Sequence, residues 1–227
     1  MWFAFLPPGF VPSATSSVAS EIIYGISCEI TPFRTPEFFA QVAAGLRFQL
    51  KKTVVLVGMM GSGKTAVGTA LARLLEVPFL DSDAEIERAA SMTIAEIFER
   101  DGEAFFREKE TQVLGRLLEG APGILSTGGG AYLKAENRAM ISDKGVAVWL
   151  RASVDLLWSR VKHKDTRPLL RTPDPYATLK SLCATREPSY EQADLVVDAS
   201  KNYTVEDMAR QVIEALLARP DVLVRIA

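Results

Sequence analysis

Eight residues from Gly58 to Thr65 read GMMGSGKT, a G-x-x-x-x-G-K-T spacing that suits the handling of phosphate. Gly58, Gly61 and Gly63 allow the backbone to curl so that successive N–H groups converge on phosphate oxygens. Lys64 adds a point charge, and the Thr65 hydroxyl can reach a magnesium ion bridging the same phosphates. Gly61, Ser62, Gly63, Lys64, Thr65 and Ala66 are the expected phosphate contacts. Downstream, "DSD" at 81–83 offers two carboxylates, one for a metal or an attacking hydroxyl and one for neighbouring hydroxyls. "FFREKE" carries Arg107, "STGGG" at 126–130 can present backbone N–H groups, and "TRPLL" and "REPSY" carry Arg167 and Arg186. Guanidinium forks suit planar carboxylates and phosphates.

These strings acquire meaning from the elements that must hold them. "TVVLVG" is a short β-branched run ended by glycine, and Val67, Leu71, Leu74 and Leu75 follow at helical spacing. The octet thus joins a strand to a helix, the context that distinguishes a P-loop from a chance glycine-rich turn and points to ATP or GTP. "VPFLD" reads as a second strand, which places "DSD" at its C-terminal end, with an N-cap role open to Asp83. Thr93 and Glu96 form a capping-box pair, Gly102 separates two helices, and a helix spans about 103–118. "GILST", "GVAVWL" and "ADLVVD" are further strands, with helices near 134–142, from Ser153, around Pro188 and behind Thr204. Five strands alternating with helices predict an α/β three-layer fold, a parallel sheet covered on both faces.

Composition narrows the possibilities. The chain has 227 residues, 48% hydrophobic and 24% charged, with a net charge of −2, which disfavours a general nucleic-acid binder. Residues 151–186 nevertheless hold eight basic and three acidic side chains, whereas 76–110 hold eleven acidic and four basic. The two stretches read as solvated faces or, for the basic one, as a flap that closes over an anion. Cys28 and Cys183 form no Cys-x-x-Cys pair, and no apolar run reaches the ~18 residues of a membrane span. A cytoplasmic monomer with no membrane or nucleic-acid partner is expected. His163, the single histidine, reads as a solvated loop residue.

In this order and at these spacings, the octet, "DSD", "FFREKE", "STGGG", "TRPLL" and "REPSY" closely resemble the shikimate kinases, from about Lys51 to Leu217. The resemblance implies a P-loop kinase that uses ATP and Mg²⁺ to phosphorylate the 3-hydroxyl of shikimate, on the chorismate route to aromatic amino acids. It implies that Asp83 holds substrate hydroxyls, that Arg107 and Arg186 clamp the carboxylate, and that Gly128, Gly129 and Gly130 line the pocket. It further implies that Arg160 stacks on adenine, that Arg167 closes from a mobile lid at about 162–175, and that Asp81 acts with Thr65 on the metal or on the attacking hydroxyl. The rivals are another small P-loop kinase, for gluconate or a nucleoside monophosphate, and a nucleotide-binding regulatory module without catalysis. The kinase domain is expected at 51–217, followed by a tail at 218–227. Residues 1–50 fall outside the pattern and read as a flexible leader, a docking helix at 36–50, or a start codon placed too early.

Overall fold

The computed structural model of the protein describes residues 47–163 and 168–226. The first strand, β1 (Arg47–Leu50), lies apart from the main sheet. Strand β2 (Thr53–Val57) leads through the glycine-rich octet into α1 (Lys64–Leu75), and β3 (Phe79–Asp81) runs into α2 (Ser82–Ala90). Next come α3 (Ile94–Leu118), β4 (Ile124–Ser126), α4 (Ala135–Lys144), β5 (Gly145–Arg151), α5 (Val154–Val161) and α6 (Pro175–Tyr190). The described chain closes with β6 (Leu195–Asp198), α7 (Val205–Leu217) and β7 (Leu223–Ile226).

The five-stranded sheet has the order β3-β4-β2-β5-β6, and all its pairings are parallel. Its central strand, β2, is buried along its whole length, as a strand covered on both faces must be. Val54 and Leu56 face α1 and α7, packing with Leu71, Leu75, Val212 and Leu216. Val55 and Val57 face the other way, into a core with Leu114, Ile141, Leu157 and Leu179 from α3, α4, α5 and α6. A satellite cluster of Ile86, Ile97, Phe106 and Val113 joins α2 to α3. The period of two along β2 therefore produces the three layers expected.

Local chemistry sets the helix ends. Thr93 and Glu96 complete the capping box of α3, Ser153 Oγ caps α5, and Thr204 caps α7 with Asp207 reciprocating. Gly102 interrupts α3 with φ 80° and ψ 173°, as its placement between two helices predicted. Pro188 lies in the last turn of α6, and the helix continues for two more residues beyond it. The cap open to Asp83 falls instead on Asp81, whose Oδ1 accepts from the Asp83 N–H at 3.1 Å. Strand β3 ends at Asp81 and the helix begins at Ser82, so Asp83 sits inside the first helical turn.

A second correction concerns the chain ends. β1 pairs antiparallel with β7, Arg47 opposite Ile226 and Leu50 opposite Leu223, so residues given to the extension and to the tail form one ribbon. Lys51 strengthens the junction, with its backbone N–H on Val222 O and its ammonium on Pro220 O. The remainder of the extension, 1–46, lies outside the described residues. Phe48 and Leu50 pack on the α1/α7 core, so a chain beginning at Lys51 should melt about 3 to 10 °C below one beginning at Arg47. Superimposable thermal melts would show that the ribbon adds nothing to stability.

Candidate active site

The C-terminal ends of β2, β3 and β4 open on one cavity of about 500 Å³, where an open parallel sheet places ligands. One side is the octet. Gly58, Gly61 and Gly63 take φ of 135°, 83° and 100°, a left-handed path that side-chain-bearing residues rarely adopt. The first intrahelical bond of α1 runs from Val67 N to Gly63 O, and the N–H groups of Thr65 and Ala66 precede it at the helix N-terminus. Lys64 Nζ reaches over the loop to Gly58 O at 2.8 Å and Met59 O at 3.1 Å. Arg160, on α5, donates to Gly61 O and Ser62 O at 3.2 Å each, and burial lowers its pKa.

Across the cavity floor, Thr65 Oγ1 donates to Asp81 Oδ2 at 3.1 Å and lies 3.5 Å from Ser126 Oγ. Two hydroxyls and a carboxylate are hard oxygen donors, which fit Mg²⁺ when phosphate oxygens and water supply the other positions. Among the described residues no group of three or more His, Cys, Asp or Glu is placed to hold a metal ion alone.

The far wall of the cavity, at Asp83, Gly128 and Gly129, is backed first by acidic and then by basic side chains. Asp83 Oδ1 and Glu110 Oε1 are both buried without a hydrogen-bond partner, and both face Gly128. Burial pushes the Asp83 carboxyl up to about 6, with Asp81 and Glu110 adding to the rise and Lys64 opposing it. Glu110 is also raised by burial, although it accepts from Arg107 NH1 at 2.9 Å. Arg107 donates further to Glu103, and its face lies over the Phe106 ring at 5.2 Å. Its guanidinium passes directly beside Gly130, where an added Cβ would stand 2.5 Å from NH1 and 2.8 Å from Cζ. Arg186, on α6, points NH1 at Gly129 O from 3.5 Å.

The expected residues therefore converge, with one exception: Arg167 and the lid residues 164–166 lie outside the described residues. His163 is exposed, as a loop residue should be. Four contributors carried no role in the sequence reading. Ser126 is part of "STGGG", yet its hydroxyl, not only the glycines, faces Thr65. Glu110 sits three residues after Arg107, a helical spacing that could have revealed the pair. Tyr190 closes "REPSY" with its hydroxyl on Gly129 O at 2.6 Å. Tyr203 joins the cavity wall beside the start of α7, from a loop with no motif to mark it.

A glycine-rich loop between a buried strand and a helix, with hard oxygen ligands at its end and a carboxylate-lined wall facing it, has the form of a P-loop phosphotransferase site. Comparison with known proteins makes the class specific. The shikimate kinase family model matches residues 60–217. A shikimate kinase of Cereibacter sphaeroides is 67% identical over 175 residues, covering 77% of this chain and 87% of the relative. One of Ruegeria pomeroyi is 64% identical, covering 77% and 89%. The structure of a shikimate kinase from Acinetobacter baumannii in complex with shikimate superimposes with a TM-score of 0.70 at 39% identity, covering 74% of this chain and 94% of that one. The chain belongs to the shikimate kinase family.

Proposed function

We propose that the protein transfers the γ-phosphate of ATP to the 3-hydroxyl of shikimate, giving shikimate 3-phosphate and ADP. The observation that carries this reading is the meeting of Arg107 and Arg186, from separate helices, at Gly129 and Gly130, with the Asp83 carboxylate at Gly128 between them and the phosphate cradle. Such a pocket offers two guanidinium forks for a carboxylate and an acceptor for hydroxyls nearer the nucleotide.

In this reading the phosphates of ATP rest on the backbone of Gly61 to Ala66, with Lys64 swinging from its two carbonyls to their charge. Arg160 and Tyr203 flank the base. Thr65, Asp81 and Ser126 would hold Mg²⁺, which neutralises phosphate charge when bound. Asp81 is committed to that side, since one oxygen meets Thr65 and the other caps α2. Asp83 is left for the acceptor, and a carboxylate held near pH 6 is a stronger base for the 3-hydroxyl proton than an ordinary one. Arg167, outside the described residues, is assigned to the transferring phosphate by the family resemblance.

ADP release with shikimate, gluconate and AMP, each at equal concentration with Mg-ATP, tests the acceptor. Turnover of shikimate above both others is expected; faster turnover of gluconate or AMP would overturn the assignment. Gly130→Ala gives a sharper test of the pocket. Its Cβ must displace the Arg107 guanidinium, so the KM for shikimate should rise about ten-fold or more, a lost charge-assisted bond, while the KM for ATP stays within about two-fold. Equal changes in both KM values would place Arg107 away from the acceptor.

A further inference from the structure

Tyr190 is almost wholly enclosed beside the proposed acceptor pocket, at 1% exposure. Its ring stacks on Trp149 with centroids 6.0 Å apart and planes 28° apart, and its hydroxyl lies 3.9 Å from Met59 Sδ at the start of the phosphate loop. That hydroxyl donates to Gly129 O at 2.6 Å, shorter than most O–H···O bonds. Burial pushes the phenol up to about 12 against the charge and hydrogen bond of the Arg186 guanidinium beside it, so it remains a protonated donor at working pH. Arg186 precedes Tyr190 by one helical turn on α6, and its NH1 faces the same carbonyl at the longer distance of 3.5 Å.

One carbonyl thus has two candidate donors, and the geometry favours the phenol. If the phenol were removed, Gly129 O, half-buried at the cavity wall, would keep the Arg186 guanidinium as its side-chain donor, and the long 3.5 Å contact would be drawn tighter onto it. We propose that Tyr190 is a positioning residue for acceptor specificity: by satisfying Gly129 O it fixes the triple-glycine loop to α6 and leaves the Arg186 fork directed at the carboxylate of the acceptor. This rests on the proposed acceptor, and it goes further by naming what keeps one of its two clamps available. Met59 and Trp149 extend the same contact to the phosphate loop and to β5, so the orientation of the carboxylate site is referred to the cradle in which ATP lies.

Tyr190→Phe retains the ring and its stack and removes the hydroxyl alone. Steady-state kinetics are compared with shikimate, with its methyl ester, which lacks the anionic carboxylate, and with ATP varied in turn. The expected result is a rise of about ten-fold in the KM for shikimate, an unchanged KM for ATP, and a fall in the acid-over-ester ratio of kcat/KM by a similar factor. In an Arg186→Lys background the same Tyr190→Phe change should move that ratio far less, since both act on one grip. A purely structural tyrosine would lower the melting temperature, or kcat for both acceptors alike, and leave the ratio fixed; that outcome overturns the inference. Wild-type protein that neither binds nor turns over shikimate would overturn the proposed acceptor and the inference together, whereas active wild type with a fixed ratio overturns the inference alone.

Discussion

Arg107→Lys is expected to raise the KM for shikimate by about ten- to a hundred-fold while the KM for ATP changes little, because charge-assisted hydrogen bonds contribute roughly 1.5 to 3 kcal/mol each. Lysine keeps the positive charge but loses the fork. In the structure that fork is already held in place from behind: Glu110 binds NH1, Glu103 binds Nε and NH2, and Phe106 supports the face. Burial alone would lower the guanidinium pKa, yet the two carboxylates outweigh it and raise it, so the group stays charged throughout the working range. The ammonium of the substituted lysine could satisfy Glu110 or the acceptor, but not both with the same planar geometry. Loss of Glu110's partner would also strand a buried carboxylate, so the variant should be less stable as well. Initial-rate measurements with each substrate varied in turn decide the matter. An unchanged dependence on shikimate would move the carboxylate site elsewhere and leave Arg107 as a solvated ion pair.

Asp83→Asn should separate activity from stability. Loss of the base and hydroxyl acceptor is expected to lower kcat by about 10²- to 10⁴-fold. The folded protein, by contrast, should gain. The Asp83 carboxyl titrates near 6 in the folded state against an ordinary 3.8, so the folded form holds its proton more tightly than the unfolded chain does. Its contribution to stability is therefore greatest below pH 3.8, falls as pH rises from about 4 to 6, and stays low above. Asparagine removes that fall. The difference is worth about 3 kcal/mol at most by the size of the rise, and half of it would raise the melting temperature by about 3 to 6 °C at pH 8. Near pH 4 the two proteins should melt together. Melts recorded with a chelator and without nucleotide, across pH 4 to 8, check this. A gap that does not widen with pH would mean that Asp83 carries no burial penalty in the folded state.

Most of the site was visible in the sequence because its parts are strings with local mechanisms. The octet needs only its own glycines and the flanking strand and helix, and Asp81 and Asp83 mark a strand end. What escaped depends on distance or on context. "RFQL" at 47–50 is four residues long, and its pairing partner lies more than 170 residues away, so neither half announces a strand alone. Glu110 sits among Glu103 and Glu108 in an acidic helix, and only burial distinguishes it from its solvated neighbours. The cap of α2 was left open to Asp83 because Asp81 and Asp83 are equally good caps by type, and the end of β3 decides for Asp81. Tyr190 lay in a quoted string, but nothing in "REPSY" says that its hydroxyl meets a carbonyl 61 residues earlier.

The central claim, phosphate transfer to one hydroxyl of shikimate, is tested most directly by the chemical structure of the product. Phosphorus-31 and proton NMR of a reaction with Mg-ATP and shikimate should show a single phosphate monoester, with phosphorus coupled to the proton on C3 and one ADP formed for each ester. Coupling to the proton on C4 or C5, or ADP and inorganic phosphate accumulating with shikimate unchanged, would contradict it.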